Sequence, residues 1–345
     1  MEHRKALIAM SGGVDSSVAA YLMQAQGFAC VGATMQLLPD FDPNDARAVA
    51  EKMGMEFHVL NMQAEFRDAV MADFVRSYEE GLTPNPCTVC NRRIKFGALL
   101  DAALALGCEY IATGHYAQIE QQNGRFLLKK ATDIAKDQSY FLYALTQRQL
   151  SHTRFPLGGL TKEEARNIAE EQGFINAHKK DSQDVCFIPD GNYFAFLQRY
   201  TGKTYPTGDF LDMDGRVVGK HQNAAAYTRG QRKGLGLAMG HPIYVHSKDM
   251  ARNTVTVCEN EQLFSTTMLA DDWVFSAFDN LTAPLRCKAK ARSRMAEQPA
   301  TVYPEENGFC RVVFDEPQRA LTTGQAVVLY DGDIVLGGGT IREVL

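Results

Sequence analysis

An apolar run, Ala6-Leu7-Ile8-Ala9-Met10, breaks at Ser11-Gly12-Gly13-Val14-Asp15-Ser16-Ser17 and resumes as Val18-Ala19-Ala20-Tyr21-Leu22-Met23. Strand, glycine-rich turn and helix in that order build an anion site. Glycines let the backbone come close to a phosphate, and the first amides of the helix point outward unpaired. Three hydroxyls and one carboxylate add donors and a candidate magnesium ligand. No GxxxxGK[ST] occurs anywhere in the chain, and the loop is not GxGxxG, so neither a Walker loop nor a dinucleotide fingerprint accounts for it. The alternative is an ordinary Gly-Gly turn with a Ser/Asp helix cap.

The 345 residues predict two or three domains. In the first part, short apolar runs at 5–10, 30–37, 56–60 and 109–113 alternate with helical stretches at 17–26, 45–53, 64–78 and 95–106. Gly27, Gly54 and Gly107 stand where helix C-caps belong. That alternation predicts a parallel sheet covered on both faces, with its ligand at the carboxyl ends of the strands. Asn123-Gly124 predicts a hairpin turn, and Thr161 with Glu164 predicts a capping box opening a helix that ends at Gly173. Beyond about residue 200, short alternating runs dominate. The expected division is 1–199, a catalytic domain; 200–262, a small β-rich domain; and 263–345, a β-barrel-like domain. No run of about 18 apolar residues predicts a membrane span. Residues 1–5 lead straight into a strand without a signal-peptide core, so a cytoplasmic protein is expected. A net charge of -5 leaves any nucleic-acid binding to local patches.

Eight scattered cysteines do not form a disulfide framework. Two of them, Cys87 and Cys90, follow Pro84-Asn85-Pro86 and precede Arg92, Arg93 and Lys95. The prolines predict an extended backbone ahead of the cysteines, with a helix starting after them. A thiol at such a helix start, near cations, would be partly ionised, and so nucleophilic or metal-binding; the alternative is a pair of small buried hydrophobes. Cys186 lies in a charged and then apolar segment and by itself reads as a core cysteine at a strand end. Cys30, Cys108, Cys258, Cys287 and Cys310 read as structural. Farther on, Arg286, Lys288, Lys290, Arg292 and Arg294 alternate with small residues. On one strand all five would share a face, a pattern suited to phosphates or to an edge guarded against aggregation. Arg229, Arg232 and Lys233 form a second basic patch.

SGGVDSS resembles the pyrophosphate loop of the N-type ATP pyrophosphatases. With TPNPCTVCNRRIKF (83–96), ATGHYA (112–117), KDQSYFLY (136–143), KKDSQDVCFI (179–188), YTRGQRKGLG (227–236), TTGQAVVLYDGD (322–333) and LGGG (336–339) in one order, nearly the whole chain is similar to the tRNA-specific 2-thiouridylase family. The resemblance implies an α/β fold: a parallel-sheet, adenine nucleotide alpha-hydrolase-like N-terminal domain, a small β-rich central domain and a C-terminal β-barrel-like domain. It implies adenylation of the carbonyl oxygen at carbon 2 of a tRNA wobble uridine, then displacement of AMP by a persulfide sulfur. ATP and Mg2+ would be used, and sulfur would come from a donor such as a cysteine desulfurase relay.

By motif position, Cys186 would carry the persulfide and Cys90 would be its partner thiol. Ala9, Met10, Ser11, Gly12, Gly13, Val14, Asp15, Ser16, Met35 and Gly114 would hold ATP. Asn85 and Pro86 would line the extruded uridine. His115, Lys136, Asp137, Gln138, Arg292, Ser293 and Gln325 would contact tRNA. Many members have aspartate where this chain has Cys87. Cys87, Cys90 and Cys186 could therefore instead ligate a [4Fe-4S] cluster with one open iron, or zinc. Another adenylating tRNA-modifying enzyme and a catalytically silent RNA-binding protein are the remaining alternatives.

Overall fold

A computed structural model describes residues 4–179 and 185–345. Five strands, β1 (Lys5–Ala9), β2 (Ala29–Gln36), β3 (Glu56–Asn61), β4 (Tyr110–Ala112) and β7 (Thr153–Arg154), form an all-parallel sheet in the order β3-β2-β1-β4-β7. Both faces are covered: Leu7 packs in one buried cluster, while Ala6 and Ile8 pack in another. The chain leaves β1 toward β2 on one side and returns to β4 on the other, so the crevice of the sheet opens between β1 and β4. The loop 10–13 leaves β1 at that point and enters helix α1 (Val14–Ala25).

The predicted elements of this region form, with the C-cap glycines at positive φ. One differs in its start. Helix Pro86–Cys90 begins nine residues before the expected position and runs on through wide π-type turns, Asn91–Ala98, into Leu99–Ala105. Pro86 takes the first helical position, where its missing N–H costs nothing, and the Asn85 side chain accepts from Thr88 N–H as N-cap. The cysteines therefore lie in the helix rather than on extended chain before it. Gln149 Nε2 donates to the carbonyls of Arg92 and Phe96, which satisfies groups that the wide turns leave free.

Four later strands, β8 (Gly208–Leu211), β9 (Val217–His221), β10 (Tyr244–Asp249) and β11 (Thr254–Cys258), form a second sheet. A third sheet closes on itself through β12 (Phe264–Phe275) and β17 (Ile334–Val344), with β13 (Leu285–Lys290), β14 (Gln298–Pro304), β15 (Cys310–Arg319) and β16 (Ala326–Asp331) between them. The hairpin β5 (Gln118–Gln122) and β6 (Arg125–Lys129) turns at Asn123 and Gly124, both at positive φ, and joins this barrel sheet through β17. The apolar cluster on one face of the parallel sheet also continues into Ala326, Val328, Tyr330 and Val335 of the barrel.

The basic stretch is corrected. Strand β13 stops at Lys290, so only Arg286, Lys288 and Lys290 alternate on it; Arg292 and Arg294 lie past its end. Arg286 pairs across the sheet with Asp315 at 2.6 Å.

Candidate active site

The loop after β1 is held by its own hydroxyls. Ser16 Oγ and Ser17 Oγ donate to the Gly13 carbonyl, and Ser11 N–H donates to Ser16 Oγ. Gly114, just past β4, closes the other wall: a Cβ there would stand 2.7 Å from the Asp15 carbonyl carbon and 2.8 Å from Ser16 N. Only glycine permits that approach. Ala9 through Ser16 and Gly114 are thus brought together at the crevice, and Met35 lies near the end of the neighbouring β2. Asp15 does not face the loop alone. Lys162 Nζ donates to both of its oxygens at 2.7 and 2.8 Å, and Tyr116 OH donates at 3.0 Å. From beyond the helix Lys162–Glu171, the buried Asn176 donates to Gly12 O and Ser17 Oγ.

His115 follows Gly114 and leads toward the thiols. Its Nδ1 is 2.6 Å from Thr113 Oγ1 and its Nε2 is 3.4 Å from Lys95 Nζ. Burial, and then the Lys95 charge, hold its pKa well below the usual range, so the ring is neutral. An ammonium only donates, so Nε2 accepts and Nδ1 carries the proton.

Lys95 is the cation that Cys87, Cys90 and Cys186 all sense, and Cys90 senses both other thiols. Residues far apart in the chain therefore share one neighbourhood. Cys90 is buried, whereas Cys87 and Cys186 reach solvent; Cys186 lies in a turn, not at a strand end. Lys180 to Asp184 of the second cysteine motif lie outside the described residues.

One expectation for these thiols fails. Their pKa values are raised rather than lowered. Desolvation outweighs Lys95 at all three and takes Cys90 to about 11. Arg92 gives no help, since it turns to Asp272 of the barrel at 2.8 Å. Among the described residues, no group of three or more His, Cys, Asp or Glu side chains is gathered to hold a metal ion.

The residues expected at the tRNA are dispersed around this centre. Asn85 caps the cysteine helix and, with Thr88, Arg76, Arg92 and Arg93, lines a cavity of about 410 Å³ between that helix and the barrel. Pro86 begins the helix. Asp137 accepts from Ala131 N–H, Ser139 N–H and Ser139 Oγ, and Gln138 accepts from Tyr116 N–H. These two side chains hold the loop that contains Lys136. Gln325 Nε2 donates to the carbonyls of Thr83 and Pro84, tying the barrel to the segment ahead of the cysteines. Arg292 donates to Arg229 O, Ala320 O and Thr322 Oγ1, with Ser293 beside it. Lys162, Tyr116 and Asn176 were not singled out in the sequence. They stand more than a hundred residues from the loop they support; Tyr116 lies within ATGHYA (112–117) and Lys162 inside the predicted capping box, but neither pattern points to Asp15.

A parallel sheet with a glycine–serine loop at its switch point defines a nucleotide-binding type of α/β domain. A model described as the tRNA methyl transferase HUP domain matches residues 4–190. The tRNA methyl transferase PRC-barrel domain matches 194–259, and the aminomethyltransferase beta-barrel domain matches 265–341. The chain is 46% identical to the tRNA-specific 2-thiouridylase MnmA of Acetivibrio thermocellus, over 99% of this chain and 100% of that one. It is 45% identical to the proteins of the same name from Halothermothrix orenii, over 98% and 99%, and Clostridioides difficile, over 99% and 99%. The chain belongs to the tRNA-specific 2-thiouridylase family.

Proposed function

We propose that this enzyme thiolates carbon 2 of the wobble uridine of tRNA, consuming ATP. ATP binds at residues 9–16 with Met35 and Gly114. The uridine O2 attacks the α-phosphorus, and pyrophosphate leaves. The terminal sulfur of a Cys186 persulfide then attacks carbon 2 and expels AMP. The Cys90 thiol attacks the remaining S–S bond at the Cys186 sulfur, which leaves 2-thiouridine and a Cys90–Cys186 disulfide for a thiol reductant to reopen. Uracil O2 is a poor leaving group until adenylated, which is why one site needs both a nucleotide loop and thiols.

The observation that carries this reading is the path Gly114–His115–Lys95, which links the nucleotide loop to three mutually interacting thiols. A protonated resting Cys90 suits a partner that acts only once substrate has assembled. Cys87, where many relatives have aspartate, adds to the electrostatic crowding of Cys186. Asn85 and Pro86 line the place of the extruded base. His115, Lys136, Asp137, Gln138, Arg292, Ser293 and Gln325 order the surface that tRNA meets. Mg2+ enters with ATP as its counter-ion, because the one acid of the loop, Asp15, is already held by Lys162. Sulfur reaches Cys186 from a persulfide donor. Residues 1–199 form the catalytic domain, followed by 200–262 and 263–345.

The test is mass spectrometry of tRNA nucleosides after incubation with ATP, Mg2+ and a persulfide source. Wild type should form 2-thiouridine, and Cys90→Ala and Cys186→Ala should not. A methylated uridine, or thiolation that survives loss of Cys186, would refute the scheme.

A further inference from the structure

We infer that Lys162 is a positioning residue for nucleotide binding: it neutralises Asp15 as a fixed counter-cation and so occupies the place on that carboxylate that a metal ion would otherwise take. The inference rests on the ATP-binding reading of the loop. Asp15 is the second residue of α1, at the helix end whose free amides attract anions. An uncompensated carboxylate there repels an arriving triphosphate. Asp15 is also the only acid between Ala9 and Ser16.

The ammonium that meets it is placed by rigid structure. Thr161 and Glu164 close a complete capping box, and Lys162 N–H donates to Asp133 Oδ2 at 3.0 Å. That helix packs along α1. The Lys162 side chain is 9% exposed and that of Asp15 30%, so the ammonium is shielded from water while the carboxylate still meets it on one side. Both Asp15 oxygens receive Nζ, and Tyr116 OH takes a further position on Oδ1. A metal ion would have to displace this ammonium before it could coordinate the carboxylate.

Two readouts on the full-length enzyme test this without turnover. In equilibrium binding of ATP, Lys162→Met should weaken affinity by about tenfold or more in the wild-type background, but much less when Asp15 is already Asn. Lys162→Arg should restore most of the loss. An equal loss in both backgrounds would overturn the inference, because Lys162 would then act on the nucleotide directly or only hold the fold. The second probe is Mn2+ in the absence of nucleotide, followed by electron paramagnetic resonance. Wild type and Lys162→Arg should show no site that depends on Asp15, whereas Lys162→Met should gain one that Asp15→Asn removes. Mn2+ bound at Asp15 in wild type would also overturn it. If wild type bound no ATP at all, the reading of the loop would fail, and the Mn2+ result would still decide the competition between Lys162 and metal for Asp15.

Discussion

Burial holds the Cys90 thiol at about 11, with the neighbouring thiols adding to the rise and Lys95 opposing it. Near pH 7.5 the thiolate fraction is roughly three in ten thousand. A thiol with a raised pKa is less ionised at any given pH, so its nucleophilicity grows as the pH climbs toward that value. Alkylation of Cys90 by iodoacetamide, read by peptide mass spectrometry, should therefore rise about tenfold per pH unit between 7 and 10; a plateau below pH 9 would contradict the burial argument. Lys95→Met removes the opposing charge and should slow alkylation of Cys87, Cys90 and Cys186 together, by several-fold at pH 8. Unchanged rates at all three would show that Lys95 does not set their acidity. The sequence places cations next to these cysteines, but it carries no measure of desolvation, and it hides that Arg92 points away to Asp272.

At the scale of elements, the barrel turn 322–325 acts as a clamp on the cysteine segment. Thr83 N–H donates to Thr323 O, and Gln325 returns two hydrogen bonds to the carbonyls of Thr83 and Pro84. Gly324, at φ +87°, sits so close that a Cβ would stand 2.8 Å from Thr83 N and 2.9 Å from Leu82 Cβ. Gly324→Ala should cost about 1–3 kcal/mol of stability. It should also lower the rate of thiolation while leaving ATP affinity near wild type, since the nucleotide loop lies elsewhere. A parallel fall in ATP binding would contradict the clamp.

Local signals were legible. Apolar runs gave four of the five parallel strands but not the two-residue β7, Asn123-Gly124 gave the hairpin turn, and Thr161 with Glu164 gave the capping box. What was lost depends on distant partners. The end of β13 is set by its sheet neighbours, and nothing within β6 shows that Ile334 will pair with Lys129; the start of the helix at Pro86 is the exception, since its signal, an Asn cap before Pro, is local. The proposed nucleotide residues 9–16 are contiguous and open at the switch point, whereas Lys162 reaches the loop only through the packing of its helix on α1.

Over the whole molecule, one apolar cluster runs from Leu7 under the catalytic sheet to Val335 in the barrel, so the modules are bonded through a shared core. The net charge of -5 confines attraction for a polyanion to patches, of which Lys288, Lys290, Arg232 and Lys233 remain after Arg286 is paired with Asp315. Replacing Lys288 and Lys290 by Ala should weaken tRNA binding and flatten the dependence of log affinity on log salt by about one to two. An unchanged slope would remove this face from the tRNA surface. Among the described residues no helix is long and apolar enough to cross a membrane.

The excursion of β5 and β6 into the barrel has a consequence for synthesis on the ribosome. The free edge of β6 emerges well before its neighbour β17, which follows it far along the chain. Until then the nascent chain carries an open strand edge, and premature termination would strand it as a template for sticking to other chains. Synthesis of β17 is thus what covers an edge made much earlier.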